Sequence, residues 1–324
     1  MAYKMEIVNG LKWRFKGSKC VTIMQAPKGV SGDVVIPSSL GGAKVTNIHK
    51  SAFNGCRNIK SVTIPDSVNI CRAMFVGCRS LESITISANM TMVGGYRENR
   101  DEYKQYWEYR GVWRNQDWFS MCPSLLEIKV PKNNPTYKSA NGLLLSKDGK
   151  TLLAVPCGLT SVTIPRGVQK IGPGAFKGCK KLEKVKIPEG VTSIGTYAFR
   201  GCHRLESVTT PKSMRDIKEG AFMDCFKLKR VTISAGVQEI SETETFEGCK
   251  GLCEFVVDSR NPKYESINGF LVENVVREGI AEWTGEKRPK GKLLLWTPGI
   301  LTKIMIPDGV ECIRHHAFYA CCRD

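Results

Sequence analysis

Residues 162–184 read VTIPRGVQKIGPGAFKGCKKLEK, and the next two stretches repeat that pattern: VKIPEGVTSIGTYAFRGCHRLES at 185–207 and VTTPKSMRDIKEGAFMDCFKLKR at 208–230. Cys179, Cys202 and Cys225 therefore follow one another at a spacing of 23 residues. A fixed period of this length is typical of a solenoid, in which each unit buries its apolar face against its neighbours. Further copies begin at Val34, Val62, Val231 and Ile304.

One repeat predicts a short strand followed by a returning turn. In residues 184–187 apolar and polar side chains alternate, which is the period of a strand with one buried face. Pro188 ends the strand because it has no N–H to donate. The apolar residues that follow fit a coil or a short helical turn, and Gly201-Cys202 places two small residues at the corner. Stacked units would then form a parallel sheet.

The unit VTIPxxVxxIGxxAFxGCxxLxS resembles the BspA-like, or treponemal-type, leucine-rich repeat over most of residues 34–324. The resemblance implies an α/β-type repeat solenoid, a right-handed coil with a parallel β-sheet on its concave face. We expect residues 1–33 to form an N-terminal β-hairpin cap and 34–324 to form the solenoid. Two β-hairpins are expected as insertions at about 132–157 and 259–297, where an Asn-Pro-x-Tyr motif precedes paired apolar runs.

The 14 cysteines are better explained by the repeat than by disulfides or metal. A buried thiol behaves as a small apolar side chain, and no zinc-site spacing occurs. Cys253 is expected to be an exposed thiol. Eight cysteines share the corner position: Cys56, Cys78, Cys122, Cys179, Cys202, Cys225, Cys249 and Cys321.

No sequence motif indicates catalysis. The chain lacks a P-loop, a GxSxG elbow, a dinucleotide fingerprint and a metalloprotease motif. The adjacent pair His315 and His316 has no accompanying carboxylate motif. We therefore expect no catalytic residues, no metal, no cofactor and no enzymatic activity.

An aromatic insertion is the first candidate binding element. Cys78 and Cys122 are 44 residues apart, about one repeat more than usual, and the excess lies at 95–118. Aromatic side chains dominate binding hot spots because they bury a large area at a modest entropy cost. The alternative is that these rings pack on the solenoid and only fix the loop. The predicted partner-binding residues are Tyr103, Tyr106, Trp107, Tyr109, Trp113 and Trp118.

A basic column is the second candidate. With 48 Lys plus Arg against 31 Asp plus Glu, the net charge is +17, which attracts anionic partners. Basic residues recur just after the corner cysteines, and stacking would align them along one edge. The alternative is a solvated face that only keeps the protein soluble. The predicted anion-binding residues are Arg57, Arg79, Lys180, Lys181, Arg204, Lys227 and Lys250.

These features favour a non-enzymatic, adhesive display protein that binds other proteins at the cell surface or outside the cell, as the resemblance implies. One alternative is a binder of acidic polysaccharide or nucleic acid through the basic edge, with nucleic acid the less favoured. Another is a purely structural segment of a larger surface protein. No apolar run is long enough to insert in a membrane. No signal peptide is visible, and we expect that one has been removed or truncated.

Overall fold

The computed structural model describes residues 3–9, 11–49, 51–71, 75, 77–93, 122–275, 279–280, 287–288, 291–298, 305–314 and 317–318. The chain divides into two compact units. Unit 1 is Met1–Leu159 with Ala175–Cys179, and unit 2 is Thr160–Gly174 with Lys180–Asp324.

Unit 1 begins with antiparallel strands and continues into stacked repeats. Strands β1, β2 and β3 pair antiparallel, and β3 then pairs parallel with β6. The repeat strands β4, β7, β9 and β11 form a parallel sheet, and β12, β13 and β14 form antiparallel pairs in chain order. The strands of unit 1 are β1 (Lys4–Val8), β2 (Leu11–Lys16), β3 (Cys20–Gln25), β4 (Ser31–Val35), β5 (Ser39–Leu40), β6 (Ala43–Ile48), β7 (Asn58–Thr63), β8 (Ile70–Cys71), β9 (Ser83–Thr85), β10 (Met92–Val93), β11 (Glu127–Lys129), β12 (Tyr137–Ala140), β13 (Leu143–Ser146) and β14 (Thr151–Ala154).

Unit 2 repeats this arrangement. Strands β19, β21 and β23 pair parallel, and the two-residue strands β16, β18, β20 and β22 form a second parallel ladder. The antiparallel strands β24, β25 and β28 follow, and β28 pairs parallel with β29. The strands of unit 2 are β15 (Ser161–Thr163), β16 (Lys170–Ile171), β17 (Lys184–Lys186), β18 (Ser193–Ile194), β19 (Ser207–Thr209), β20 (Asp216–Ile217), β21 (Arg230–Ile233), β22 (Glu239–Ile240), β23 (Glu254–Val257), β24 (Tyr264–Ile267), β25 (Phe270–Val275), β26 (Gly279–Ile280), β27 (Lys287–Arg288), β28 (Gly291–Trp296) and β29 (Val310–Ile313).

The predicted leucine-rich-repeat solenoid with two inserted hairpins is confirmed. Strand register follows the repeat period, since Ser207 lies opposite Arg230 and Arg230 lies opposite Glu254. The α/β-type solenoid is expected to return each strand through a coil or a short helical turn. Within the described residues no helix occurs, and turns and two-residue strands form this returning layer instead. The boundaries given above for the N-terminal cap and for the hairpin insertions stay predictions.

Aromatic stacking fills the turn side of each unit. In unit 2 the ring centroids of Phe199 and Phe222 are 5.2 Å apart, and those of Phe222 and Phe246 are 5.6 Å apart. In unit 1 Phe53 and Phe75 are 5.4 Å apart. All five rings are at most 1% exposed, and burial of this much apolar area is the main driving force for stacking the repeats.

The corner cysteines lie beside these rings. The thiols of Cys225 and Cys249 donate to the carbonyl oxygens of Phe199 and Phe222, one repeat earlier, both at 3.2 Å. In unit 1 the thiol of Cys78 donates to the carbonyl oxygen of Phe53, also at 3.2 Å. A sulfhydryl is small, apolar and a weak donor, so it fills this corner and satisfies a buried carbonyl at the same time.

A buried asparagine fixes the start of each hairpin. In unit 2 the Nδ2 of Asn261 donates to the carbonyls of Ser234 and Val237, at 2.9 and 3.0 Å. Its Oδ1 accepts from the backbone N–H groups of Lys263 and Tyr264, at 2.9 and 2.8 Å. Asn134 makes the same four bonds in unit 1. The recurring Asn-Pro-x-Tyr motif is therefore a hydrogen-bonded bracket that ties each hairpin to the preceding repeat.

Candidate ligand-binding surfaces

The aromatic insertion lies outside the described residues, because the predicted contact residues Tyr103, Tyr106, Trp107, Tyr109, Trp113 and Trp118 fall within 94–121. Its two flanks are described. On one side β10 pairs with β8. On the other, the Cys122 thiol donates to the carbonyl oxygen of Phe75 at 3.2 Å. The insertion therefore interrupts a repeat between the short strand and the corner cysteine, and its role in binding stays a prediction.

The predicted basic column is exposed but divides between the two units. Arg57 and Arg79 belong to unit 1, and Lys180, Lys181, Arg204, Lys227 and Lys250 belong to unit 2. In sequence these residues occupy two adjacent repeat positions. Arg57, Arg79, Lys180 and Lys250 come directly after the corner cysteine, whereas Lys181, Arg204 and Lys227 come one residue later. Whether any of them binds an anion stays a prediction.

An aromatic pair lies within the basic residues of unit 2. His203 and Phe226 occupy the position directly after the corner cysteine, and their rings stack with centroids 4.5 Å apart and an interplanar angle of 21°. Phe226 is 42% exposed, which is unusual for a large apolar side chain on a charged surface. Neither residue is among the predicted anion-binding residues, although Phe226 stands where other repeats carry Lys or Arg.

Charge and burial keep the His203 ring neutral at pH 7. Partial burial is the main cause that lowers the pKa of the imidazole below its usual value, and the charge of Lys180 lowers it further, while Asp224 opposes the change. Asp224 itself lies 3.6 Å from Arg200. The stacked pair is thus an uncharged surface among cations.

A cleft of about 500 Å³ opens on the strand face of unit 1. The hairpin turn closes one side, because the backbone N–H of Ile128 donates to the carbonyl of Gly142 at 2.8 Å. Asn141 supports this turn in the left-handed conformation, with φ of 54°. The lining combines charged and polar groups with the side chain of Leu126, which is 49% exposed. The lining residues are Asp33, Lys60, Ser61, Glu82, Ser83, Leu126, Glu127, Asn141 and Gly142.

In unit 2 the glutamate at the equivalent position is neutralised by a different cation. Asn268 and Gly269 form the turn, and the backbone N–H of Phe255 donates to the carbonyl of Gly269 at 2.9 Å. There Arg230 Nε donates to Glu254 at 2.7 Å across neighbouring strands. In the unit 1 cleft Glu127 pairs instead with Lys129 on its own strand, at 2.7 Å. The two hairpin sites therefore have the same backbone hydrogen bond at the turn, but the glutamate beside it has a different cationic partner in each unit.

The thiols belong to no metal-binding cluster in the part of the chain that the structure describes. No group of three or more His, Cys, Asp or Glu side chains there is arranged to hold a metal ion. Burial raises the pKa of the Cys78 thiol to about 12, so it stays protonated and unreactive at neutral pH. Cys253, by contrast, is exposed as predicted. In the described residues no helix is long and apolar enough to span a membrane.

Comparison with known proteins agrees with this architecture. The model of the BspA-type leucine-rich-repeat region matches residues 34–104 and 154–267, in six copies that cover more than half of the chain. The chain belongs to this family. No curated protein matches it in sequence.

Solved structures of bacterial leucine-rich-repeat proteins are similar to this chain at low sequence identity. The pneumococcal vaccine antigen PcpA is 17% identical, with 79% of this chain and 82% of that chain covered and a TM-score of 0.47. A leucine-rich-repeat protein from Eubacterium ventriosum is 18% identical, with coverage of 81% and 80% and a TM-score of 0.47. A leucine-rich cell surface protein from Faecalibacterium prausnitzii is 17% identical, with coverage of 80% and 96% and a TM-score of 0.36.

Proposed function

We propose that this BspA-type repeat protein is a non-enzymatic binding protein that presents its surface to other proteins. Leucine-rich repeats of this family generally mediate protein interactions, and stacked repeats provide an extended regular surface for that purpose. Members of the family are typically surface or secreted molecules, so we place the protein at the cell surface or outside the cell, with an adhesive role.

The strand-face cleft of unit 1 is the observation that supports this proposal best. It combines one exposed apolar side chain, Leu126, with three carboxylates in the lining, and the hairpin turn forms its wall. A central apolar contact surrounded by polar groups is the usual composition of a protein-binding patch. The cleft lining carries Asp33, Glu82 and Glu127 against Lys60, so a protein with a basic or mixed surface fits it.

The aromatic insertion is proposed as a second contact element. Trp107 and Trp113 are the two rings that we expect to contribute most, because Trp is among the residues enriched in binding hot spots. The support is the density of aromatic and Arg residues in the insertion.

The test is binding to a panel of purified extracellular matrix proteins, measured at two salt concentrations. We expect at least one protein to bind, and Leu126→Asp to weaken that binding by about tenfold or more, which is the loss expected for a hot-spot residue. Val35→Asp is the matched control, because Val35 is exposed in the same sheet but does not line the cleft. Trp107→Ala with Trp113→Ala tests the insertion separately.

Two results would contradict the proposal. The first is the absence of any binding partner in the panel at low salt. The second is binding that none of these substitutions changes although each variant keeps the wild-type circular dichroism spectrum and melting temperature. Protease treatment of intact cells tests the location, since a surface protein is cleaved there and a cytoplasmic one is not.

A further inference from the structure

The basic residues of unit 2 and the stacked pair form one surface patch, which we call the basic-aromatic patch. Two consecutive residues from each of three neighbouring repeats contribute to it, and those of the first and third repeats are exposed. The members of the patch are Lys180, Lys181, His203, Arg204, Phe226 and Lys227.

The backbone holds these positions in register. The N–H of Lys227 donates to the carbonyl of His203 at 3.2 Å, and the N–H of Gly251 donates to the carbonyl of Phe226 at 3.0 Å. Gly251 allows this close approach, since a Cβ there would lie 2.6 Å from the Phe226 carbonyl oxygen. The turns that carry His203, Arg204, Phe226 and Lys227 are therefore held at a fixed spacing by backbone hydrogen bonds between repeats.

The cations of the patch are available to a ligand. In the part of the chain that the structure describes, no carboxylate oxygen lies within 4.0 Å of the ammonium groups of Lys180, Lys181 or Lys227. Arg204 lies 3.7 Å from Glu183, but both side chains are about half exposed, at 57% and 47%. An exposed pair of this kind is weak, so an incoming anion can replace the carboxylate.

The aromatic pair adds an apolar surface among these charges. His203 covers the Phe226 ring on one side, and the ring remains 42% exposed. A polyanion that is held by charge alone gains nothing from such a ring, whereas a sugar ring offers C–H groups that pack on an aromatic face. Single-stranded nucleic acid fits less well, because successive bases need successive stacking platforms, and the same position carries lysine in both flanking repeats, at Lys180 and Lys250.

We propose that the basic-aromatic patch binds an acidic polysaccharide. One sugar ring packs on Phe226, and the carboxylate or sulfate groups of the chain bond to Lys181, Arg204 and Lys227. This activity is additional to protein binding and uses a surface of unit 2, whereas the proposed protein-binding cleft is lined by residues of unit 1.

The experiment measures the affinity of the full chain for three probes: a heparin octasaccharide, polyglutamate as an anion without sugar rings, and oligo(dT). We expect the octasaccharide to bind at low salt and to weaken as salt rises. Phe226→Ala should lower the octasaccharide affinity by about 3- to 10-fold, the range for one aromatic packing contact, and should leave polyglutamate binding unchanged. Phe226→Tyr should restore the affinity.

The charge contribution is tested with matched double variants. Lys181→Ala with Lys227→Ala removes two cations from the patch, and Arg57→Ala with Arg79→Ala removes two from unit 1 as the control. We expect a loss of about 10-fold or more for the first pair, since each lysine supplies a charge-assisted hydrogen bond to an anionic group of the sugar chain. The control pair should change the affinity by less than about 2-fold, because neither arginine belongs to the patch.

Four outcomes would overturn the proposal. They are no octasaccharide binding at low salt, equal losses for the two double variants, an equal effect of Phe226→Ala on polyglutamate, and tighter binding of oligo(dT) that depends on the same residues. Because none of the three probes is a matrix protein and the cleft variant Leu126→Asp lies in unit 1, failure here leaves the matrix-protein result unaffected. Thermal melting of every variant separates lost binding from lost folding.

Discussion

Replacing Asn261 with alanine should destabilise the hairpin of unit 2 far more than its size suggests. The side chain makes four hydrogen bonds, between 2.8 and 3.0 Å, and is only 8% exposed. Alanine would leave two carbonyls and two N–H groups without partners. A net contribution of about 1 kcal/mol for each bond gives a loss of about 4 kcal/mol, equivalent to roughly a 1000-fold change in an opening equilibrium.

Hydrogen exchange measures this loss where it occurs. The amide protons of Lys263 and Tyr264 are bonded to the Asn261 Oδ1, so their exchange should become faster by that factor if the hairpin opens locally. Urea unfolding, followed by circular dichroism, gives the effect on the whole chain. Asn134→Ala is the matched variant in unit 1, and Asn54→Ala, at an exposed position, is the control.

Asn261→Asp separates the shape of the side chain from its donors. The variant keeps both acceptor bonds but turns an oxygen toward the Ser234 and Val237 carbonyls. At neutral pH it should therefore be no more stable than Asn261→Ala, and acidification should restore part of the loss because a protonated carboxyl donates once. A loss under about 1 kcal/mol for Asn261→Ala, no greater than for Asn54→Ala, would refute the bracket as a stabilising element.

Three further changes test other parts of the structure. Phe222→Ala should lower the free energy of unfolding by about 3–5 kcal/mol in a urea titration, because the ring is fully buried between two others. Phe226→Ala, at an exposed position, should lower it by under about 1 kcal/mol. Similar losses for the two variants would contradict the assigned stack. Glu219→Gln should remove a fall in stability that the wild-type chain shows as pH rises. Burial, with a neighbouring carboxylate, raises the pKa of Glu219 in the folded state, so the folded chain binds this proton more tightly than the unfolded chain does. The stability that this proton contributes is lost as pH rises through the folded-state pKa. Unchanged pH dependence of the melting temperature would count against this. Iodoacetamide should alkylate Cys253 in the native chain and leave Cys78 unmodified until denaturant is added. Site-resolved mass spectrometry measures both modifications, and alkylation of both cysteines in the native chain would be inconsistent with a buried Cys78.

The solenoid was predictable because its information is local and repeated. The alternation in residues 184–187 predicts the strand, and the recurrence of Cys179, Cys202 and Cys225 predicts the turn and its corner. Neither pattern requires knowledge of a long-range contact. Ser207 lies opposite Arg230, so register follows the sequence period directly. The next copy, residues 231–254, is one residue longer, and Arg230 accordingly lies opposite Glu254.

The candidate surfaces were less predictable because each depends on contacts between repeats. The Asn-Pro-x-Tyr motif predicts a hairpin, but the carbonyls that Asn261 binds belong to the preceding repeat. Phe226 looks like an irregular residue in a basic position, and only the 4.5 Å stack on His203 makes it part of a surface. The unit 1 cleft requires the hairpin turn beside the strand face, and no local pattern specifies that placement.

The cysteine column bears on the proposed location outside the cell. An oxidising compartment usually converts accessible thiols to disulfides, whereas the corner cysteines Cys78, Cys122, Cys225 and Cys249 are free thiols. Disulfide exchange requires a thiolate and access to it. The corner geometry denies both: Cys225 and Cys249 are fully buried and donate to main-chain carbonyls, and desolvation raises the pKa of Cys249 well above its usual value. A chain can therefore keep a column of reduced cysteines outside the cell as long as its repeats stay stacked, and loss of stacking would expose them together. The corner thiols therefore stay unreactive only while the solenoid is stable. In any variant that opens a repeat, oxidation of the corner cysteines should be detected before a loss of binding is detected.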